Sequence, residues 1–163
     1  MATTTDKIAY AAAGVPVSIT FTAPANSATA GQCCLAIDNT ANLFTTALLT
    51  LTITTSATAA ANDKGGYLWL YQSVDGTNFN ISTNEMATPG TNAACTPDAS
   101  TNMTYIGFVN TGVASKVFTY VLNVAAALGG DMPQKWGFVY RNYTGSTPTS
   151  IVATYVGVNY TNS

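Results

Sequence analysis

The 163-residue chain has no histidine, and only 7% of its residues are charged, against about 25% in ordinary soluble domains. Without histidine the commonest general acid and base is missing, and a Ser, Thr or Cys nucleophile has no imidazole to take its proton. A serine–lysine or paired-aspartate mechanism stays formally open, but no motif points to one. The cations Lys7, Lys64, Lys116, Lys135 and Arg141 are scattered. They form no basic stripe that could neutralise phosphates, so direct contact with nucleic acid is not expected. Thr, Asn and Gly interrupt every apolar run well short of the roughly 18 residues a membrane span needs, so no membrane partner is expected either.

Cysteine and carboxylate are also scarce. Cys33 and Cys34 are adjacent and Cys95 stands alone, an odd total that fits no closed set of intrachain bridges. Neighbouring strand residues point to opposite faces, and no CxxC or His is available for zinc, so free thiols acting as small buried apolar groups are expected. Asp63, Glu85 and Asp98 are isolated, whereas calcium takes about six to eight oxygens and usually several nearby carboxylates. Asp75-Gly76 is therefore read as a turn. No catalytic residue, metal or cofactor is expected.

What is present is apolar and β-prone: 47% of residues are hydrophobic, and the pattern repeats with period two. Residues 47–55 set Leu49, Leu51 and Ile53 against Thr50, Thr52 and Thr54, and residues 135–142 set Trp136, Phe138 and Tyr140 against Gly137, Val139 and Arg141. Val15, Val17, Ile19 and Phe21 alternate likewise, which outweighs the faint signal-peptide flavour of residues 7–13. Further strands are expected at 32–37, 66–74, 79–82, 102–110, 115–124 and 150–160. Turns are expected at Gly65-Gly66, Asp75-Gly76, Thr111-Gly112, Gly129-Gly130 and Gly145 with Pro148. Only 57–62 and 123–128 could make a helical turn, and 82–101 reads as a long surface loop suited to contacts. The four N-x-Ser/Thr matches at Asn80, Asn102, Asn142 and Asn159 are of the kind that arises by chance in so Thr- and Asn-rich a chain.

These signals give an all-β, single-domain β-sandwich of about eight strands, jelly-roll or immunoglobulin-like, over residues 15–163, preceded by an extended N-terminal arm at 1–14. Ile8 and Tyr10 would anchor the arm if it lies against a neighbour; the alternative is a frayed end. Tyr67, Trp69 and Tyr71 share one strand face, with Leu68 and Leu70 on the other. If the leucines face the core, the stripe is a subunit interface or a sugar-stacking platform; otherwise the aromatics fill the core. So few charges also leave a protein poorly protected against self-association, which suggests a surface meant to be covered by neighbours.

Four blocks in order, TTDKIAY near the start, IDNTANLF at 37–44, YLWLYQSVDGTNF at 67–79 and MPQKWGFVYRNYTG at 132–145, resemble small virion structural proteins of tailed bacteriophages, of the capsid decoration or cement type. The resemblance implies a β-sandwich displayed on the outer capsid surface after synthesis in the bacterial cytoplasm. Its partners would be the major capsid protein and copies of itself, often as a homotrimer. The Cys33-Cys34 pair and the Thr/Ala-rich segment 45–61 depart from that pattern. Two other readings stand beside it: a receptor- or carbohydrate-binding module of a tail fibre stacking sugars on Tyr67, Trp69 and Tyr71, and a subunit of a tail tube or shell.

Overall fold

The computed structural model describes residues 6–58, 60, 64–97 and 101–162. Among them the chain forms β1 (Asp6–Tyr10), β2 (Val17–Ser18), β3 (Gly31–Cys33), β4 (Ile37–Asp38), β5 (Thr46–Thr54), β6 (Gly65–Ser73), β7 (Ala94–Cys95), β8 (Thr104–Val109), β9 (Val117–Asn123), α1 (Val124–Ala127), β10 (Lys135–Tyr143) and β11 (Ser150–Asn162). All pairings are antiparallel. The first sheet runs β1-β11-β5-β9, with β2 also against β11, and the second runs β7-β3-β10-β6-β8, with β4 also against β10. The result is the expected all-β sandwich.

The alternation read from the sequence places the core. Leu49, Leu51 and Ile53 of β5, flanked in register by Ile151, Ala153 and Tyr155 of β11, turn inward from the first sheet. From the second sheet Trp136, Phe138 and Tyr140 of β10 meet them, beside Leu68 and Leu70 of β6. The Trp136 and Tyr155 rings close the gap edge to face at 5.7 Å, and Phe21 tilts against Phe138 at 4.8 Å. Full burial of each large apolar side chain stabilises the fold by roughly 1.5–3 kcal/mol.

The other face of the second sheet is buried as well, in part by the segment expected to be a surface loop. The excursion from β6 to β8 folds back over it and contributes buried Ile81, Met86, Cys95 and Met103. Its backbone is stitched to the β3 region: Cys33 N–H donates to the Ala93 carbonyl, Ala36 N–H donates to that of Gly90, and β7 pairs β3 at Gly31↔Cys95. Residues 82–97 of the expected loop are thus in large part packed against the second sheet and not a free contact loop; residues 98–100 lie outside the described residues.

Several local expectations change for identifiable reasons. Gly65-Gly66 opens β6 instead of forming a turn, because the Phe108 ring lies over Gly65 and the Tyr140 ring over Gly66, where no Cβ would fit. Residues 79–82 form no strand. Asn80 N–H donates to the Gln72 carbonyl at 2.9 Å, but the Asn80 side-chain oxygen takes the Gln72 N–H at 2.7 Å, so a side chain replaces the next backbone partner and the ladder stops. Residues 6–10 of the expected arm lie in register with Val158–Asn162 as a strand of the first sheet, and residues 1–5 lie outside the described residues. The helical turn at 123–128 forms as α1, capped by the Asn123 side chain accepting from Ala126 N–H at 3.0 Å; the one at 57–62 lies largely outside the described residues.

Gly137 carries a specific load. It sits on β10 opposite Tyr71, and the missing Cβ lets the Tyr71 ring cross the strand so that its hydroxyl donates to the Cys34 carbonyl at 2.7 Å. Gly137→Ala should lower unfolding free energy by about 1–3 kcal/mol through overpacking. Urea denaturation measures this, with Gly145→Ala as a control at a position strained only by its backbone.

Candidate functional site

Chemistry needs groups that converge, and here the reactive groups are dispersed or sealed. Asp38 is held by Thr40, whose N–H and hydroxyl donate to it at 2.8 and 2.6 Å; these bonds keep its carboxyl below the usual range. Asp75 organises the turn after β6, accepting from Asn78 N–H at 2.7 Å, Thr77 N–H at 2.8 Å and the Ser73 hydroxyl at 3.0 Å. Those donors, Asn78 first, hold its carboxyl well below normal, and Gly76 supplies the turn's positive φ of 77°. Glu85 is buried in the excursion from β6 to β8 and accepts from Ser82 N–H at 3.1 Å. Asp63 and Asp98 lie outside the described residues. Among the described residues no three His, Cys, Asp or Glu side chains gather as metal ligands.

The three cysteines are free and buried. Cys33 lies across the β3/β7 ladder from Cys95, and the contact between the two side chains, followed by burial, raises the Cys33 thiol far above its ordinary value. Burial pushes the Cys34 thiol up to about 12, offset in part by the Phe138 N–H that donates to its sulfur at 3.2 Å. Both remain thiols at neutral pH, and a thiol is a poor nucleophile.

What the fold does present is uncharged surface. On the outer face of the first sheet the register aligns Leu48, Thr50, Thr52 and Thr54 of β5 with Val117, Thr119 and Val121 of β9 on one side and Val152, Thr154 and Val156 of β11 on the other. Ile8 of β1 pairs Tyr160 of β11 on this same face. From Ile8 across to β9 these positions carry no charge, and apart from Val158 of β11, which is buried, they are half-buried or exposed. Ile8, Tyr160, Val117 and Val121 are each more than 60% exposed.

A smaller aromatic patch lies on the outer face of the second sheet. The Arg141 guanidinium stacks 4.4 Å from the Tyr67 ring centre and 5.2 Å from that of Trp69; Phe108 meets Tyr67 at 5.4 Å and Tyr105 meets Trp69 at 5.5 Å. Such contacts couple packing with a cation–π attraction.

The five expected contact residues therefore divide. Ile8 and Tyr10 are exposed, and Tyr67 is half-buried. Trp69 is 7% exposed and Tyr71 fully buried: the leucines do face the core, but Tyr67, Tyr105 and Arg141 crowd the Trp69 ring and Phe79 meets that of Tyr71, so both rings serve internal packing. Sequence reasoning missed Tyr105 and Phe108, the aromatics that remain exposed. Three residues apart, they belong on opposite faces of a regular strand, but β8 is bulged: Leu68 faces Gly107 while Trp69 faces Tyr105, leaving Ile106 extra. Gly107, at φ 150°, was the available signal.

The ionisable groups set the pH response. The chain has no histidine, the side chain whose ordinary pKa lies nearest neutrality, so the melting temperature should be nearly flat from pH 5 to 8. The depressed Asp38 and Asp75 carboxyls contribute stability that is present above about pH 3.9, the unfolded value, and is lost as pH falls through their native values. The raised Cys33 and Cys34 thiols contribute stability that is complete below about pH 8.5 and declines as pH rises towards 12. Thermal unfolding followed by circular dichroism across this range checks all three limbs. No family model, curated protein or solved structure matches the chain.

Proposed function

We propose that this protein is a non-enzymatic component of a phage virion, a capsid decoration or cement protein that binds the outside of the head shell and adds interface between its subunits. The observation that carries this reading is the broad outer face of the first sheet, uncharged from Ile8 across to β9 and exposed at Ile8 and on β9, with Ile8 and Tyr160 paired at one side. An uncharged sheet face gains little from staying in water and gains from burial against a neighbour. Repetition around a symmetric shell then multiplies modest contacts by avidity. The scarcity of converging reactive groups and the resemblance of four sequence blocks to small virion proteins support the same reading. The net charge of -2 favours the outer surface over one lining packaged DNA.

A second reading, a carbohydrate- or receptor-binding module of a tail fibre, draws on Tyr105 and Phe108, which leave rings free for stacking beside Tyr67 and Arg141. Glycan-array binding that disappears in Tyr105→Ala and survives Tyr160→Ala would favour it.

Quantitative mass spectrometry of purified virions separates the two: a copy number in fixed proportion to the major capsid protein supports decoration, and a few copies travelling with tails overturns it. Tyr10→Ala combined with Tyr160→Ala should weaken binding to heads assembled without this chain by about tenfold or more, as loss of interface tyrosines commonly does. The far-ultraviolet circular dichroism should be unchanged.

A further inference from the structure

A sheet edge exposes backbone N–H and C=O groups ready to pair with another strand, and proteins usually blunt such edges with charge, proline, bulges or short length. Three of the four outer edges here are blunted. β7 is two residues long, β8 is bulged against β6, and β1 is short and begins with Asp6 and Lys7. β9 has none of these devices: Val117–Asn123 is seven residues long, pairs β5 without interruption and includes no charge and no proline.

The core is also unfinished at this edge. The inward residues of β9, Phe118, Tyr120 and Leu122, are only half-buried, whereas their partners on β5, Ile53, Leu51 and Leu49, are at most 1% exposed. One more strand beside β9 would cover them.

We infer that β9 pairs antiparallel with β9 of a second copy of this chain, joining the two first sheets across a two-fold axis at Tyr120. A two-fold axis brings each residue type near itself, so like charges are what normally oppose such contacts; β9 carries none. Centred on Tyr120, the register sets Phe118 against Leu122 of the second copy on the core side, and Thr119 against its Val121 on the outer side. Each rung joins side chains of compatible size. Mutual pairing completes both cores at once, which a partner offering only a polar surface would not do. This inference concerns self-association alone and does not rest on where the protein works; the trimer implied by the family resemblance would need a different, head-to-tail contact.

The test uses the rung between positions 119 and 121, whose side chains point away from the core. The wild-type chain should give a mass twice its 16.8 kDa by light scattering or sedimentation equilibrium. Thr119→Lys with Val121→Lys places like charges across both equivalent rungs and should yield a monomer with an unchanged circular dichroism spectrum. Thr119→Lys with Val121→Glu places opposite charges across the same rungs and should restore the dimer. A wild-type monomer or trimer, a lysine–lysine variant that stays dimeric, or a lysine–glutamate variant that is folded but monomeric would each overturn the inference. If the lysine–lysine variant fails to fold, the wild-type mass and the lysine–glutamate variant still decide.

Discussion

Burial of β10 on both faces is the constraint on which the rest of the molecule depends. Its inward side chains Trp136, Phe138 and Tyr140 fill the space between the sheets, and the middle of its outward face, Gly137 and Val139, is buried as well. Over its doubly buried stretch, Trp136–Tyr140, such a strand has no place for a charged side chain and must also yield room where a neighbour's ring needs to cross. Gly137 meets the second demand: Tyr71 passes over it to the chain beyond β3. The same crossing positions Cys34, whose N–H donates to the Phe138 carbonyl at 3.0 Å and whose sulfur takes the Phe138 N–H. Sandwich core and the outward face of the second sheet are thus tied at one strand, and altering either disturbs the other.

Much of this architecture was legible from period-two alternation. β5, β10 and β11 follow the pattern because each has one face in the core and shares a continuous ladder with its neighbours. The Asp75-Gly76 turn was legible because its geometry is local to a few residues. What could not be read is what depends on distant partners. A glycine pair looks like a turn until two aromatic rings from other strands are known to lie on it. A polar, proline-containing stretch looks solvated until Met86 is found buried and Ala94–Cys95 is found paired at the edge of a sheet. Regular alternation would put Tyr105 and Phe108 on different faces, and only the register shift at β8 reverses that. The candidate surface was half legible: Ile8 and Tyr10 follow from position, but the outer face of the first sheet spans three further strands whose order the sequence does not encode locally.

The scarcity of charge acquires a structural meaning once the surfaces are placed. Of the five cations, Arg141 and Lys64 lie over aromatic rings and Lys135 lies 4.0 Å from Asp38, so even this small stock is largely engaged within the molecule. The broad face of the first sheet is left to threonine and valine. Threonine there keeps a hydroxyl for water while its methyl group offers contact area, a compromise that leaves the free protein wettable and lets the face be covered without stripping ions of their hydration.

The burial of all three thiols bears on durability. Oxidants of cysteine act on exposed, ionised thiol, and none of the three thiols offers one in the folded chain. In an oxygenated medium the rate of thiol oxidation would then be limited by how often the fold opens. The lifetime of the reduced thiols becomes a matter of unfolding kinetics.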